Sequence, residues 1–208
     1  MRNTLISKVK VGINILNNNE EIIVPRADSL MESMRSTGYA IETAIADLID
    51  NSIAAKARNV ELSFHWEGTQ SWVSITDDGI GMKEEELSSA MRFASTSPLE
   101  SRSENDLGRY GLGLKTASIS QCRVFSVISQ HTSTAMKSVR VWDLDYVKER
   151  KDWVLRTTPG NLAAQKSNEL HGQGTIVLWE KLDGLLEIPD LTVAFEKDYL
   201  EALKKRFE

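Results

Sequence analysis

The sequence predicts an α+β fold: a two-layer α/β sandwich in which helices cover one face of a mixed β-sheet. Helical and strand-like segments alternate in the first half of the chain, and strand-like segments cluster in the second half, an order typical of this class. The chain has 208 residues, of which 41% are hydrophobic. That length and composition suit one sizeable domain with short extensions.

Charge and composition exclude several kinds of protein. The formal net charge is -5, which argues against a surface that binds nucleic acid over its whole area. Cys122 is the one cysteine, so no internal disulfide can form and a reducing compartment is expected. No apolar run approaches the roughly 18 residues that span a bilayer, and residues 1–10 lack the apolar core of a signal peptide. We therefore expect a cytoplasmic protein with no membrane partner.

Hydrophobic periodicity and helix-breaking residues assign the elements in chain order. Residues 1–25 form a polar N-terminal arm, residues 26–185 form the domain, and residues 186–208 form a C-terminal helical extension. The helices are predicted over 29–36, 40–57, 83–93, 112–120 and 192–207. The strands are predicted over 59–66, 71–76, 122–130, 137–144, 151–157 and 173–181. Residues 94–110, rich in Ser, Asn, Arg and Glu, are predicted to form a mobile loop.

The helix predicted over 40–57 has two contrasting faces. One face carries a stripe of apolar residues at helical spacing: Ile41, Ile45, Leu48, Ile49 and Ile53. The other face carries small and polar residues: Thr43, Ala44, Asp47, Asp50, Asn51, Ala54 and Ala55. A carboxylate at Asp47 can orient or deprotonate a water molecule, and the amide oxygen of Asn51, one turn later, can ligate Mg²⁺. An ordinary solvated face is the alternative interpretation.

A carboxylate and two glycines follow the second predicted strand. The spacing Asp77-x-Gly79-x-Gly81 leaves two positions without side chains, where the backbone can approach a ligand closely. Asp77 could accept a hydrogen bond from the exocyclic amine of adenine, at a place where guanine carries a carbonyl. Met82 could pack its thioether on the purine ring. A plain β-turn is the alternative, because Asp-Gly is a common turn dipeptide.

A second glycine cluster precedes the next predicted helix. Gly108, Gly111 and Gly113 lead into a helix whose N-terminal amides could face a phosphate, with Lys115 as a nearby cation. The stretch is not a P-loop, because Leu114 separates Gly113 from Lys115 and no buried strand precedes it. We interpret it as the end of a glycine-hinged lid. A glycine-rich helix start without a ligand is the alternative.

The last predicted strand begins with Thr175, directly after Gly174. The Thr175 hydroxyl could reach the adenine site beside Asp77, directly or through a water molecule. The alternative is that Thr175 is simply a good strand former.

Together, in this order and spacing, these motifs resemble those of the GHKL ATPases (gyrase, heat-shock chaperones, histidine kinases and MutL), which share the Bergerat fold with its flexible ATP lid. Asp47–Asn51 resembles the family's N box. The two glycine boxes resemble Asp77–Met82 and Gly108–Lys115, and the final motif resembles Gly174-Thr175. The similarity covers residues 28–181 and is strongest to the MORC-like and MutL-like branches.

The resemblance implies ATP and Mg²⁺ as ligands, and slow hydrolysis of the ATP. It assigns Asn51 to the Mg²⁺, Asp77 to the adenine and Asp47 to the place of the water-activating acid. It also implies a nucleotide site lined by Asn51, Ala55, Asp77, Gly79, Gly81, Met82, Gly108, Tyr110, Gly111, Leu112, Gly113, Lys115 and Thr175. Two departures bear on the rate: Asp47 stands where many members have Glu, and Ala54 stands where some members, heat-shock chaperones among them, have Asp.

The resemblance also implies a conformational switch. ATP would order the lid, residues 94–110, and favour a homodimer in which the arm could exchange between subunits. A disordered tail is the alternative interpretation of the arm. Gyrase-type and MutL-type relatives continue into a transducer domain, so residues 186–208 are expected to begin a linker or such a domain. A DNA or protein partner would bind through domains outside this chain, as in a DNA-associated or defence-type protein.

Two other functions are compatible with the sequence. One is a module that binds ATP with little hydrolysis and acts as a protein-interaction switch. The other is phosphotransfer of the histidine-kinase type. The second fits less well, because the three histidines lie in strand or loop contexts: His65, His131 and His171.

Overall fold

The computed structural model describes residues 23–36, 39–93 and 113–183. Its helices are α1 (Ala27–Arg35), α2 (Ile41–Ala54), α3 (Glu84–Met91), α4 (Gly113–Gln121), α5 (Leu144–Arg150) and α6 (Asn161–Glu169), with a short 3-10 helix at Gly68–Gln70. Its strands are β1 (Val60–His65), β2 (Trp72–Asp77), β3 (Val124–Gln130), β4 (Lys137–Asp143) and β5 (Gly174–Glu180). In these ranges no helix is both long and apolar enough to cross a membrane. The predicted lid, the predicted C-terminal helix and residues 1–22 of the predicted arm lie outside the described residues.

The five strands form one sheet in the order β1-β2-β5-β3-β4. Every neighbouring pair of the described strands is antiparallel, so the predicted α+β class is confirmed, but among the described residues the sheet is not the mixed one predicted. The sheet is antiparallel because β5 enters between β2 and β3 and runs opposite to both. That central position places the start of β5 beside the end of β2 and the end of β3.

Helices α1 to α5 pack on one face of the sheet and form the main core with it. Alternate strand residues face this layer: Val73, Ile75, Phe125, Val127, Val177 and Trp179. Ile53, which the sequence placed in the apolar stripe of α2, is 53% exposed. The predicted stripe is confirmed at Ile41, Ile45 and Leu48, which are buried. Ala44, which the sequence places on the other face of the helix, and Ser52 are buried with them.

Helix α6 packs on the opposite face of the sheet, so the prediction that helices cover only one face is wrong. A second cluster of buried residues joins this helix to the sheet: Ile128, Ala163, Leu170, Ile176 and Leu178. The strand residues of this cluster alternate with those of the main core, as the two faces of a strand require. Helix α6 buries only Ala163 and Lys166 of its own residues, so its sequence shows no clear apolar period.

The strand predicted over 151–157 is also wrong. Strand β4 is followed directly by α5, because the Asp143 carboxylate caps the first turn of that helix. After α5 the chain meets the sheet only through a bridge between Val141 and Arg156. The apolar side chains of this segment pack against the main core instead of extending the ladder: Trp153 and Leu155.

Candidate functional site

Three polar side chains form a row across one end of the sheet. Asp77 ends β2, Thr175 lies opposite it on β5, and Ser129 lies opposite Thr175 on β3. Because side chains alternate along each strand, all three lie on the face that α1 to α5 cover. All three are buried, so the row is a polar site at the end of an apolar core.

The Asp77 carboxylate is 7% exposed and accepts hydrogen bonds through both oxygens. Its Oδ1 accepts from the Gly79 backbone N–H at 2.9 Å, and its Oδ2 accepts from the Ser52 hydroxyl at 3.0 Å. Burial raises the pKa of Asp77, while hydrogen bonds from Gly79, Ser52 and the Thr175 N–H oppose that rise. Ser52 is not predicted from the sequence, because a serine among the buried residues of a helix resembles any small packing residue.

The glycine turn after β2 packs against the end of α2. A Cβ at Gly79 would lie 2.8 Å from the Ala55 carbonyl oxygen and 2.9 Å from the Ala55 Cβ. The Ile80 N–H donates to that same carbonyl oxygen at 2.9 Å. Gly81 has a φ of +65°, and a Cβ there would lie 2.0 Å from the Gln130 carbonyl oxygen. The predicted site residues at the end of α2 and in the glycine turn therefore lie together.

Asp78 anchors the loop between α2 and β1. Its carboxylate accepts from the Arg58 and Asn59 backbone N–H groups at 2.7 and 2.9 Å, and from the Asn59 side-chain amide at 2.8 Å. These hydrogen bonds, those from Asn59 first, lower the pKa of Asp78 to about 2. Of the two adjacent aspartates, Asp78 therefore stabilises the loop between α2 and β1, whereas Asp77 belongs to the buried row.

Ser129 joins β3 to both β5 and the glycine turn. Its hydroxyl accepts from the Met82 backbone N–H at 2.8 Å and donates to the Gly174 carbonyl oxygen at 3.0 Å. The same oxygen lies 2.9 Å from the Thr175 hydroxyl. Met82 and Thr175, both predicted, are thus joined through a residue that the sequence analysis misses. One feature of the sequence could have identified Ser129. It is a serine at an inward-facing position of a strand whose other inward-facing residues, Phe125 and Val127, are apolar.

Asp47 lies where α2 meets the start of α4. Its Oδ2 accepts a hydrogen bond from the Tyr39 hydroxyl, and a Cβ at Gly113 would lie 3.5 Å from the same oxygen. Burial first, and then the contact with Asp47, raise the pKa of Tyr39 to about 12. Asn51 follows one turn later on α2 and is exposed. Tyr39 is a further contact of the site that the sequence analysis misses.

Lys115 does not lie where the sequence places it. Its side chain is 1% exposed, and its amine donates to the Ala90 carbonyl oxygen near the end of α3 at 2.5 Å. Burial lowers the pKa of Lys115 to about 8. This position does not support a cation that faces phosphates, because the first turn of α4 carries the side chain inward. The other predicted residues of the second glycine box lie outside the described residues: Gly108, Tyr110, Gly111 and Leu112.

The described part of the chain contains no group of three or more His, Cys, Asp or Glu side chains that could hold a metal ion. Asn51 does offer the donor that Mg²⁺ prefers, a hard amide oxygen in an exposed position. Magnesium commonly completes its coordination shell with water and substrate phosphates. A single protein oxygen at Asn51 therefore fits Mg²⁺ that binds together with a nucleotide.

Comparison with protein families gives one match over more than half of the chain. Residues 39–175 match the family described as histidine kinase-, DNA gyrase B- and HSP90-like ATPase. The matched stretch begins at Tyr39 and ends at Thr175, so it contains every described residue of the candidate site.

Two curated relatives are similar over shorter stretches. ATPase morc-1 of Caenorhabditis elegans is 32% identical over 88 residues, which are 42% of this chain and 10% of that protein. DNA mismatch repair protein MutL of Buchnera aphidicola subsp. Schizaphis graminum (strain Sg) is 33% identical over 81 residues, which are 38% of this chain and 14% of that protein. The chain thus spans a small part of the length of these relatives.

Proposed function

Because this chain belongs to the family of histidine kinase-, DNA gyrase B- and HSP90-like ATPases, we propose that it binds ATP together with Mg²⁺ and hydrolyses the ATP slowly. The observation that carries the proposal is the buried Asp77 carboxylate, which lies in a row with Thr175 and Ser129. The groups that bond to it in the described residues are neutral donors. A buried charge compensated only in this way costs stability, so a functional reason for it is expected.

Asp77 recognises the base in this proposal. Its ionised carboxylate has acceptor oxygens only, so it pairs with the exocyclic amine of adenine, whereas the guanine carbonyl at that place is repelled. The Thr175 hydroxyl supplies a second contact, directly or through a water molecule, and Ser129 holds that hydroxyl at 2.9 Å. Gly79 and Gly81 let the backbone approach the base, and the Met82 thioether packs on the ring.

Asp47 acts as the base in the proposed reaction. The oxygen of a water molecule bonds to the γ-phosphorus of ATP, the bond from that phosphorus to the β,γ-bridging oxygen breaks, and its electron pair leaves with ADP. The proton that the water loses passes to the Asp47 carboxylate and then to solvent. Aspartate is one methylene shorter than the glutamate that many GHKL members carry, which supports a slow rate.

The phosphates would lie where α2 meets α4. Asn51 would hold Mg²⁺ through its amide oxygen, and the bound ion would neutralise part of the negative charge of the phosphates. The start of α4 at Gly113 lies beside Asp47, and the first N–H groups of a helix are suited to an anion. We leave Lys115 out of this site because its amine bonds to Ala90.

We further propose that ATP binding works as a conformational signal. Residues 94–110, between α3 and α4, would close over the nucleotide, and closure would favour a homodimer through the arm of residues 1–25. The domain, residues 26–185, would pass the signal through residues 186–208 to a DNA or protein partner. The printed name of one relative, a DNA mismatch repair protein, supports a DNA-associated setting.

A module that binds ATP with little hydrolysis is a second candidate. The aspartate at position 47 favours it, because its side chain is one methylene shorter than the glutamate that many GHKL members carry and so holds the attacking water less closely. Binding and turnover must therefore be measured separately.

Calorimetric titration of the whole chain with ATP and with GTP, each with Mg²⁺, tests base recognition. We expect GTP to bind at least about 100-fold more weakly than ATP, because the guanine carbonyl leaves Asp77 unpaired. Asp77→Ala should abolish ATP binding while the circular dichroism spectrum stays that of the parent. Asp152→Asn, at an exposed aspartate outside the site, serves as the control and should bind ATP normally. Undiminished affinity in Asp77→Ala would mean that the base lies elsewhere.

Release of phosphate from ATP tests hydrolysis. Asp47→Asn keeps the size of the side chain but cannot take a proton, so turnover should fall about 100-fold while ATP affinity stays near that of the parent. Turnover equal to the parent would remove Asp47 from the reaction. With γ-labelled ATP, label that remains on the protein would favour phosphotransfer over hydrolysis.

A further inference from the structure

We propose that Tyr39 is a positioning residue that holds the Asp47 carboxylate in the orientation needed to activate water. The inference rests on the proposed function, in which Asp47 takes the proton. Tyr39 acts through Asp47 and not on the water or the phosphates, so its loss should slow turnover without weakening ATP binding.

The main chain of Tyr39 is held in place by α4. Tyr39 lies just before α2, and its carbonyl oxygen accepts a hydrogen bond from the Gln121 side-chain amide at 2.7 Å. Gln121 ends α4 and is 3% exposed. This contact joins the start of α2 to the buried end of α4, and it does not involve the phenol oxygen. The Tyr39 side chain also packs against the main core, so the main chain and the ring both have contacts that do not depend on the hydroxyl.

The hydroxyl of Tyr39 then engages one oxygen of Asp47. From its place before α2 the hydroxyl donates to Oδ2 of Asp47, which lies in the second turn of that helix. The pKa of Tyr39 is raised to about 12, so the phenol keeps its proton at neutral pH and remains a donor. A carboxylate has about four acceptor sites, so this bond fixes the orientation of the Asp47 carboxylate and leaves it able to accept from a water molecule.

An aspartate at this position depends on such support. Small rotations of a carboxylate move its oxygens relative to the attacking water, and a displacement of about 1 Å can lower a rate about 100-fold. Gly113, on α4, brings no side chain against Asp47: a Cβ there would lie 3.5 Å from Oδ2 and 3.9 Å from Cγ. The Tyr39 hydroxyl supplies the directional contact that Gly113 does not.

The test uses the whole chain and measures kcat for ATP hydrolysis and Kd for ATP. Tyr39→Phe removes one oxygen and keeps both the ring and the backbone contact with Gln121. Tyr146→Phe is the matched control, because Tyr146 is a half-buried tyrosine of α5 whose ring lies 5.6 Å from the Arg156 guanidinium carbon, outside the site. We expect Tyr39→Phe to lower kcat about 10- to 100-fold and to leave Kd within about twofold of the parent. Tyr146→Phe should change neither value.

A double variant separates positioning through Asp47 from a general structural role. On the Asp47→Asn background, Tyr39→Phe should cause no further loss of kcat, because residue 47 no longer takes a proton. Multiplicative losses would overturn the proposal, as would an unchanged or higher kcat in Tyr39→Phe, or a loss confined to Kd. A parent chain that hydrolyses no ATP would overturn the proposed function and the positioning role together. An active parent with an equally active Tyr39→Phe would overturn the positioning role alone.

Discussion

Asp77 and Thr175 are register partners on β2 and β5, and their pairing places the last residue of the matched family region beside the buried Asp77 carboxylate. The strands approach closely at this point, because Gly174 has a φ of +135° and a Cβ there would lie 2.0 Å from the Asp77 carbonyl oxygen. Backbone packing as well as side-chain chemistry therefore shapes the buried row. The site forms only when β5 enters the sheet beside β2.

Asp77→Asn should keep the fold and lose ATP binding. An asparagine can turn its oxygen toward the Gly79 N–H and its amide toward Ser52, whose hydroxyl can then donate to the Leu48 carbonyl oxygen 3.2 Å away. The amide that replaces the second oxygen removes an acceptor for the adenine amine. Burial raises the pKa of Asp77 above its ordinary value, so in the parent stability is lost as the pH rises through that raised pKa.

Thermal unfolding near neutral pH and calorimetric titration with ATP check these two expectations for Asp77→Asn. The variant should be at least as stable as the parent and should show no ATP binding. A variant less stable than the parent would contradict the hydrogen bonds expected between the asparagine side chain and Gly79 and Ser52. A variant that binds ATP normally would contradict the role of the carboxylate in binding adenine.

Ser129→Ala should weaken ATP binding and destabilise the domain. The hydroxyl of Ser129 serves the Met82 N–H, the Gly174 carbonyl and the Thr175 hydroxyl, and a buried polar group left without a partner costs about 1–3 kcal/mol. Ser126→Ala is the control on the same strand. Ser126 is equally buried, and its hydroxyl has no hydrogen-bond partner among the described residues, so alanine there should be neutral or stabilising. Equal losses in both variants, measured by urea unfolding, would contradict this distinction.

Gly174→Ala should be strongly destabilising. A side chain at φ of +135° is strained, and its Cβ would lie 2.0 Å from the Asp77 carbonyl oxygen. We therefore expect the free energy of unfolding to fall by about 3 kcal/mol or more. Gly160→Ala is the control, because a Cβ at Gly160 meets nothing within 4 Å and its φ is -72°. The free energy of unfolding of Gly160→Ala should fall by less than about 1 kcal/mol. A mild effect at Gly174 in chemical unfolding would mean that the strands can separate there.

Asp78→Asn should destabilise the domain in a pH-dependent way. Hydrogen bonds from the loop after α2 lower the pKa of Asp78 from 3.8 to about 2. The stability that this carboxylate contributes is therefore present above the unfolded pKa and is lost as the pH falls from about 4 toward about 2. The difference in unfolding free energy between parent and variant should shrink over that interval. A difference that stays constant with pH would contradict a role for the ionised carboxylate.

Local sequence patterns account for much of the fold. The helix predicted over 40–57 contains α2, and the strand predicted over 71–76 overlaps β2, because apolar periodicity and turn residues are local signals. The order of strands depends instead on long-range packing, and this is why the central place of β5 and the covering of the second face by α6 could not be predicted. Helix α6 also lacks a local signal, because it contributes so little apolar surface of its own.

The candidate site also contains residues that a local motif predicts and residues that only long-range contacts bring in. Asp77 and the glycine turn lie in one contiguous motif and could be predicted from its chemistry. The hydrogen bond from Ser52 spans 25 residues, and the contact of Ser129 with Thr175 spans 46 residues, so neither leaves a sequence signal of its own. At Lys115 the sequence and the structure point in different directions. Its place after a glycine cluster suggests a phosphate contact, whereas the structure buries its side chain and bonds its amine to the Ala90 carbonyl oxygen.

Lys115→Met should stabilise the domain near neutral pH. Burial lowers the pKa of Lys115 from 10.5 to about 8, so the charged amine costs folding free energy below about pH 8, and that cost disappears as the pH rises toward about 10.5. Methionine has a similar length and no charge, although it gives up the hydrogen bond to the Ala90 carbonyl oxygen. We expect a gain of about 1 kcal/mol in urea unfolding near neutral pH, and a smaller gain at alkaline pH.

Lys137→Met is the matched control for this substitution. Lys137 also donates to a backbone carbonyl oxygen, that of Ser167 at 2.6 Å, but its side chain is exposed. Because its charge is not buried, removing that charge should not raise the free energy of unfolding. ATP affinity should survive in Lys115→Met, because the amine bonds to the end of α3 and not to the nucleotide. An ATP affinity at least about tenfold weaker, with the fold intact, would show that Lys115 reaches the phosphates as the sequence predicts.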